Sequence, residues 1–110
     1  MNSSKNIAKR VNELIDKYSN SPKSVQYLLC DQYPPNKIAY KIINENMEEY
    51  NLSYGELKTQ STLIANGLKK RGIKRGDRIA TLMGKSKEYI ITLLAIWRIG
   101  AVHVPLFTAF

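Results

Sequence analysis

The sequence predicts an α/β fold in which helices surround a partial, mixed sheet containing a parallel βαβ unit. Three observations point there. A capped helix occupies the middle of the chain, from Tyr54 to Arg71. A strand–helix–strand succession follows within about 30 residues, the signature of a parallel pair joined by a crossover helix. The strands RIATLM (Arg78–Met83) and AVHV (Ala101–Val104) lack clean polar alternation, as expected when helices cover both faces.

The elements can be justified in order. In NIAKRVNELIDKY (residues 6–18), Ile7, Val11, Leu14, Ile15 and Tyr18 recur at helical spacing. SNSPK (Ser19–Lys23) breaks that helix, and a short second helix is expected over Ser24–Tyr33. Pro34 and Pro35 end it, because residues before proline avoid the α region. Ile38, Tyr40 and Ile42 alternate with Ala39 and Lys41, which predicts a half-buried strand. Residues 44–49 turn the chain, and Tyr50–Leu52 is expected to pair back on that strand.

Ser53 and Glu56 form a capping box, flanked by Leu52 and Leu57 as a hydrophobic staple. Leu57, Ile64, Ala65 and Leu68 make the predicted buried stripe of the helix. Gly72 reads as a left-handed C-terminal cap, with Ile73 folding back onto Leu68. Lys74-Arg75-Gly76-Asp77 is a tight turn. Ser86 caps a further helix whose Tyr89, Ile90, Leu93, Leu94 and Trp97 are expected to face a core, and Gly100 ends it.

At 110 residues there is room for one domain, able to bury roughly two-thirds of its unfolded surface. We read residues 1–110 as a single incomplete domain: a helical segment 1–36, a strand or hairpin 37–52, and a helix plus βαβ scaffold 53–110. The net charge is +8, and six cations crowd into Lys69–Arg78 (KKRGIKRGDR). Such a patch favours polyanions. However, no aromatic residue interleaves it, and Lys69, Lys70 and Arg71 also suit a helix C-terminus, so nucleic acid is disfavoured as a partner.

The single cysteine, Cys30, excludes an internal disulfide and fits a cytoplasmic setting. Residues 89–110 approach spanning length, yet Arg98, Gly100 and Pro105 interrupt them, so no membrane partner is expected.

Two candidate sites fail on their spacing. Gly84-Lys85-Ser86 sits where a phosphate-binding loop would end, but the required earlier glycine is Ile79, inside a strand. Cys30 and His103 lie in apolar runs without an orienting partner, and read as packing residues rather than as a nucleophile and its base.

From Tyr50 onward the chain resembles the adenylate-forming enzymes, the superfamily of acyl-CoA synthetases, luciferases and peptide-synthetase adenylation domains. The residues that carry the likeness are SYGEL (Ser53–Leu57), Ala65, Leu68, GIKRGDRIA (Gly72–Ala80), KSKEYI (Lys85–Ile90), LLAIWRIGAV (Leu93–Val102) and VPLFTAF (Val104–Phe110). LLCDQYPPNKIAYKI (Leu28–Ile42) and PLFTAF look most like the acetyl-CoA or short- and medium-chain acyl-CoA synthetase branch. The resemblance implies the N-terminal part of that family's large domain. It further implies an acid–thiol ligase that makes an acyl-adenylate from a carboxylate and ATP, then a thioester with CoA, using magnesium.

The family's Ser/Thr/Gly-rich phosphate loop, its T-G-D motif and its adenylation lysine have no counterpart here, so no catalytic, cofactor-binding or metal residue is carried over. The chain is expected to be a truncated synthetase, inactive alone. Its expected partner is the remainder of the synthetase, or a second copy met through an exposed strand edge. A non-catalytic interaction or regulatory module is the alternative. Leu106, Phe107 and Phe110 are expected to lack the elements they would pack against.

Overall fold

The computed structural model describes residues 2–19 and 22–107. The order is α1 (Asn2–Tyr18), a π-helical turn (Tyr27–Asp31), β1 (Ile38–Ile43), β2 (Glu49–Ser53), α2 (Tyr54–Lys70), β3 (Arg78–Thr81), α3 (Lys87–Arg98) and β4 (Val102–Pro105). The strands form two separate two-stranded sheets, β1–β2 and β3–β4. The first is antiparallel and the second parallel, so the expected βαβ pair is present. Phe110 lies outside the described residues.

Local chemistry sets most boundaries. The Glu56 N–H donates to Ser53 Oγ at 3.1 Å and the Tyr89 N–H to Ser86 Oγ at 3.2 Å, so both serines cap as the sequence predicts. Gly72 adopts φ +92°, and the Ile73 N–H reaches the Leu68 carbonyl at 3.1 Å, closing a Schellman motif that a residue with a Cβ would strain. The next turn closes through the Asp77 N–H to the Lys74 carbonyl at 3.0 Å, with Lys74 N–H on the Asp77 carboxylate at 2.7 Å.

Two apolar clusters make the core. Cys30, Leu52, Leu57, Ile91 and Leu94 form one, and Ala65, Ala95, Ile96, Ile99 and Ala101 the other. Trp97 packs against both, so α3 is the common wall. The staple pair Leu52 and Leu57 is buried as expected. A close approach fixes the entry to α2: the Gly55 N–H donates to the Pro35 carbonyl at 2.8 Å, where a Cβ would meet that oxygen at 2.9 Å. Tyr33 stacks on Tyr54 at 4.5 Å between ring centroids and closes the same corner.

Several sequence expectations are corrected. The second helix forms but is shorter than Ser24–Tyr33: it runs over residues 25–31, its last five residues wound as a π-helical turn. In β1, Ala39 and Ile42 pack against the core while Ile38 and Tyr40 are exposed, and the register shift between Ile38 and Tyr40 leaves Ala39 as an extra residue opposite β2. A shift of that kind breaks the period of two on which the alternation argument rests. In α2, Ser61 replaces Ile64 in the buried stripe. In α3 the buried residues are Ile91, Leu94, Ala95 and Ile96; of the expected set Leu94 is buried and Ile90 and Trp97 pack half-buried against the core, so the buried arc is wider than the expected one. Packing against both clusters explains this, since it widens and rotates the buried arc. Helix α1 forms, but its apolar stripe stays exposed.

Candidate functional site

Two polar constellations stand out from the apolar framework. In open α/β sheets ligands bind at the carboxyl ends of parallel strands, which directs attention first to the β3–β4 pair. Ile79 pairs with His103 and Thr81 with Pro105, and the Leu106 N–H continues the ladder onto the Thr81 carbonyl at 2.8 Å. Thr81 Oγ1 and His103 Nε2 are 2.8 Å apart, and the Tyr89 ring meets the imidazole edge-on at 6.0 Å. Thr81 is buried and His103 half-buried. A threonine is not a base that orients an imidazole for catalysis, and Cys30 belongs to the cluster around Leu52 and Leu57. The structure therefore places the two residues once considered as a nucleophile and base in separate packing roles.

Gly84-Lys85-Ser86 forms the turn from β3 into α3. Gly84 is not among the glycines of positive φ, and a Cβ there would meet nothing within 4 Å, so no glycine-lined cradle surrounds an anion. Ser86 spends its hydroxyl on the α3 cap. Among the described residues, no group of three or more His, Cys, Asp and Glu side chains is placed to hold a metal ion.

The second constellation was not foreseen. Arg98 donates from Nη1 and Nη2 to the Asp31 carboxylate at 2.8 and 2.5 Å, and from Nε to Ser61 Oγ at 2.7 Å. Their side chains are only 11% and 19% exposed, so this is a bidentate, largely buried ion pair. The Arg98 hydrogen bonds hold the Asp31 carboxyl below its usual range, and the Asp31 hydrogen bond raises the guanidinium in turn. Burial, helped by the neighbouring Asp31 charge, pushes the Cys30 thiol up to about 11, which keeps it protonated and unreactive at neutral pH. The arrangement fastens the π-helical turn, α2 and α3 together. A signal was present in the sequence: Arg98 is a lone cation between Tyr89 and Phe110 apart from His103, and a cation in an apolar run implies a buried anion.

Comparison with known proteins says which scaffold these elements build. The family model described as AMP-binding enzyme matches residues 29–110. The chain belongs to the AMP-binding enzyme family. It is 45% identical over 75 residues to the acetyl-coenzyme A synthetase of Chlorobaculum tepidum, a match that covers 68% of this chain and 11% of that protein. Among solved structures, the acyl-CoA synthetase of Brucella canis superposes with a TM-score of 0.76 at 35% identity, over 80% of this chain and 16% of its own. Apo MatB from Rhodopseudomonas palustris gives a TM-score of 0.63 at 35% identity, over 76% and 16%. The chain therefore spans between a tenth and a sixth of the length of these relatives, 11% to 16%. The β3–α3–β4 unit read from hydrophobic patterning belongs to an adenylate-forming fold.

Proposed function

We propose that this chain is the opening scaffold of the large domain of an AMP-dependent acyl-CoA synthetase, of the acetyl-CoA or short- to medium-chain type, and has no adenylating activity by itself. The observation that carries the reading is the ordered series of capped α2, Schellman turn, β3, capped α3 and β4, within the stretch that matches the family. In the whole reaction a carboxylate attacks ATP to give an acyl-adenylate and pyrophosphate, and the CoA thiol then displaces AMP. Magnesium screens the triphosphate charge in such chemistry. On this reading the groups that hold ATP, magnesium and CoA lie elsewhere in such an enzyme, since the Gly84–Ser86 turn lacks the earlier glycine of a phosphate loop and Ser86 caps α3. The part of the residues described here is to pack, cap and hold strands.

The partner this reading favours is the remainder of a synthetase. Ala80, Val102 and the following Leu106 are exposed, while helix α3 lies against β4 and Ile79 of β3 packs on the cluster that α3 helps to form. Parallel sheets are stable with both faces covered, so a second layer from the rest of such an enzyme would complete this one. Self-association through a strand edge is the competing occupant. A cytoplasmic location goes with the reading, because a single buried thiol needs no oxidising compartment.

ATP–pyrophosphate exchange with acetate, butyrate and longer acids tests the central claim. The purified chain is expected to give no acid-dependent exchange, and measurable exchange sinks the proposal. A monodisperse, cooperatively unfolding monomer would instead support the stand-alone interaction module.

A further inference from the structure

Helix α1 precedes the stretch that matches the family, and it raises a question independent of the scaffold reading. Ile7, Val11, Leu14, Ile15 and Tyr18 occupy, with Ala8, an arc of about 120° at 3.6 residues per turn. All five are between 37% and 66% exposed. Every side chain from Ser3 to Ser19 is exposed, so nothing among the described residues buries this stripe.

The rest of the circumference is charged and asymmetric: Lys5, Lys9, Arg10 and Lys17 outnumber Glu13 and Asp16. Arg10 and Lys17 border the apolar arc beside Leu14, and Lys5 lies beyond Ala8 on the opposite border. The Lys17 ammonium stands 5.2 Å over the Tyr18 ring, so its stem lies beside the apolar arc. Glu13 is partly answered within the helix by Arg10 at 3.5 Å.

We propose that α1 lies on an anionic lipid surface. Its five apolar side chains enter the boundary between headgroups and acyl chains, and Lys5, Arg10 and Lys17 reach the lipid phosphates. A helix with a sharply divided circumference, cationic flanks and modest overall apolarity has the properties of an interfacial helix. The net charge of +8 adds long-range attraction to an anionic membrane. Charge together with the apolar arc separates lipid from nucleic acid, and seam length separates it from a second copy. Nucleic acid would use the cations and leave the apolar arc in water. A second copy of α1 would offer an apolar seam from Ile7 to Tyr18, short of the three to four heptads or so that a stable coiled coil requires. No helix among the described residues is long and apolar enough to cross a membrane, and lying on a surface demands no such length. The sequence expectation of no membrane partner concerned spanning.

Co-sedimentation of the full chain with vesicles of phosphatidylcholine, and with vesicles of equal parts phosphatidylcholine and phosphatidylglycerol, provides the test. Partition onto the anionic vesicles is expected to be roughly tenfold greater at low salt, and to decline steeply as salt rises toward about 1 M. Val11→Glu combined with Leu14→Glu should reduce binding to the phosphatidylcholine level while leaving the Trp97-monitored unfolding transition unchanged. Arg10→Gln with Lys17→Gln should weaken the preference for anionic vesicles. Equal partition onto both vesicles overturns the proposal. So does binding that survives Val11→Glu with Leu14→Glu, which would point to the Lys69–Arg78 cations or the β3–β4 pair. A shifted unfolding transition in that variant, or a dimer that it dissociates, assigns the stripe to a protein contact and equally overturns it.

Discussion

Helices α1 and α2 are each 17 residues long, and both carry apolar side chains at helical spacing. Their fates differ. In α2, Leu57, Ser61 and Ala65 are buried, the helix starts on a Ser53 cap that continues directly from β2, and its flank packs on α3. In α1 the division between apolar and charged faces is the cleaner of the two, yet no described side chain from Ser3 to Ser19 is covered. Patterning says which face of a helix would be buried; it does not supply the surface that buries it. The best-buried helix of the chain, α3, succeeds because the two clusters approach it from different sides.

This contrast can be broken most forcefully in the core. Ile96→Ala removes a side chain that is fully buried in α3 and should cost about 2–5 kcal/mol of stability, read from the midpoint of urea denaturation. A cost no greater than that of a truncation in α1 would mean that α3 is not the common wall.

Next in size is Asp31→Ala, which leaves the Arg98 guanidinium in its largely buried site without a counter-ion, at a cost of about 3 kcal/mol. The ion pair also has a pH signature. Because the folded Asp31 carboxyl lies below its ordinary value, the unfolded chain binds more protons as acid is added. Its stabilisation is present above about pH 4 and is lost as pH falls through the depressed folded value. Asp31→Ala should flatten that acid limb in chemical denaturation series, and an unchanged limb would remove the ion pair from the account.

Ser53→Ala deletes the cap that joins β2 to α2 and should cost about 1 kcal/mol in the same assay. The smallest effect belongs to Leu14→Ala in α1, expected within about 0.5 kcal/mol of zero. A loss of several kcal/mol there would show that the stripe is covered by the chain itself.

Legibility followed the range of the interactions. Ser53, Gly72, Gly76 and Ser86 were read correctly because caps and turns are decided within a few residues, by one hydroxyl or one permitted φ. The parallel β3–β4 pair was readable because a strand–helix–strand succession leaves few topologies. The packing of Ala39 onto the core was not legible because the register shift that makes it an extra residue leaves no trace in hydrophobicity. Ser61 was passed over for Ile64 because its burial follows from Arg98, 37 residues further on. Asp31 and Arg98 are 67 residues apart, and neither one names its partner in the sequence.

By itself, then, the amino-acid sequence determined the starts and stops of the main helices, the α/β class and the family, and it also showed which candidate motifs fail, since each depends on residue types at short spacing. Only the tertiary structure decided that one amphipathic helix is a wall and the other an open stripe, and that a lone arginine is the clasp between three segments. Burial and ion pairing depend on what lies opposite a side chain, and in this chain the opposite group is often tens of residues away.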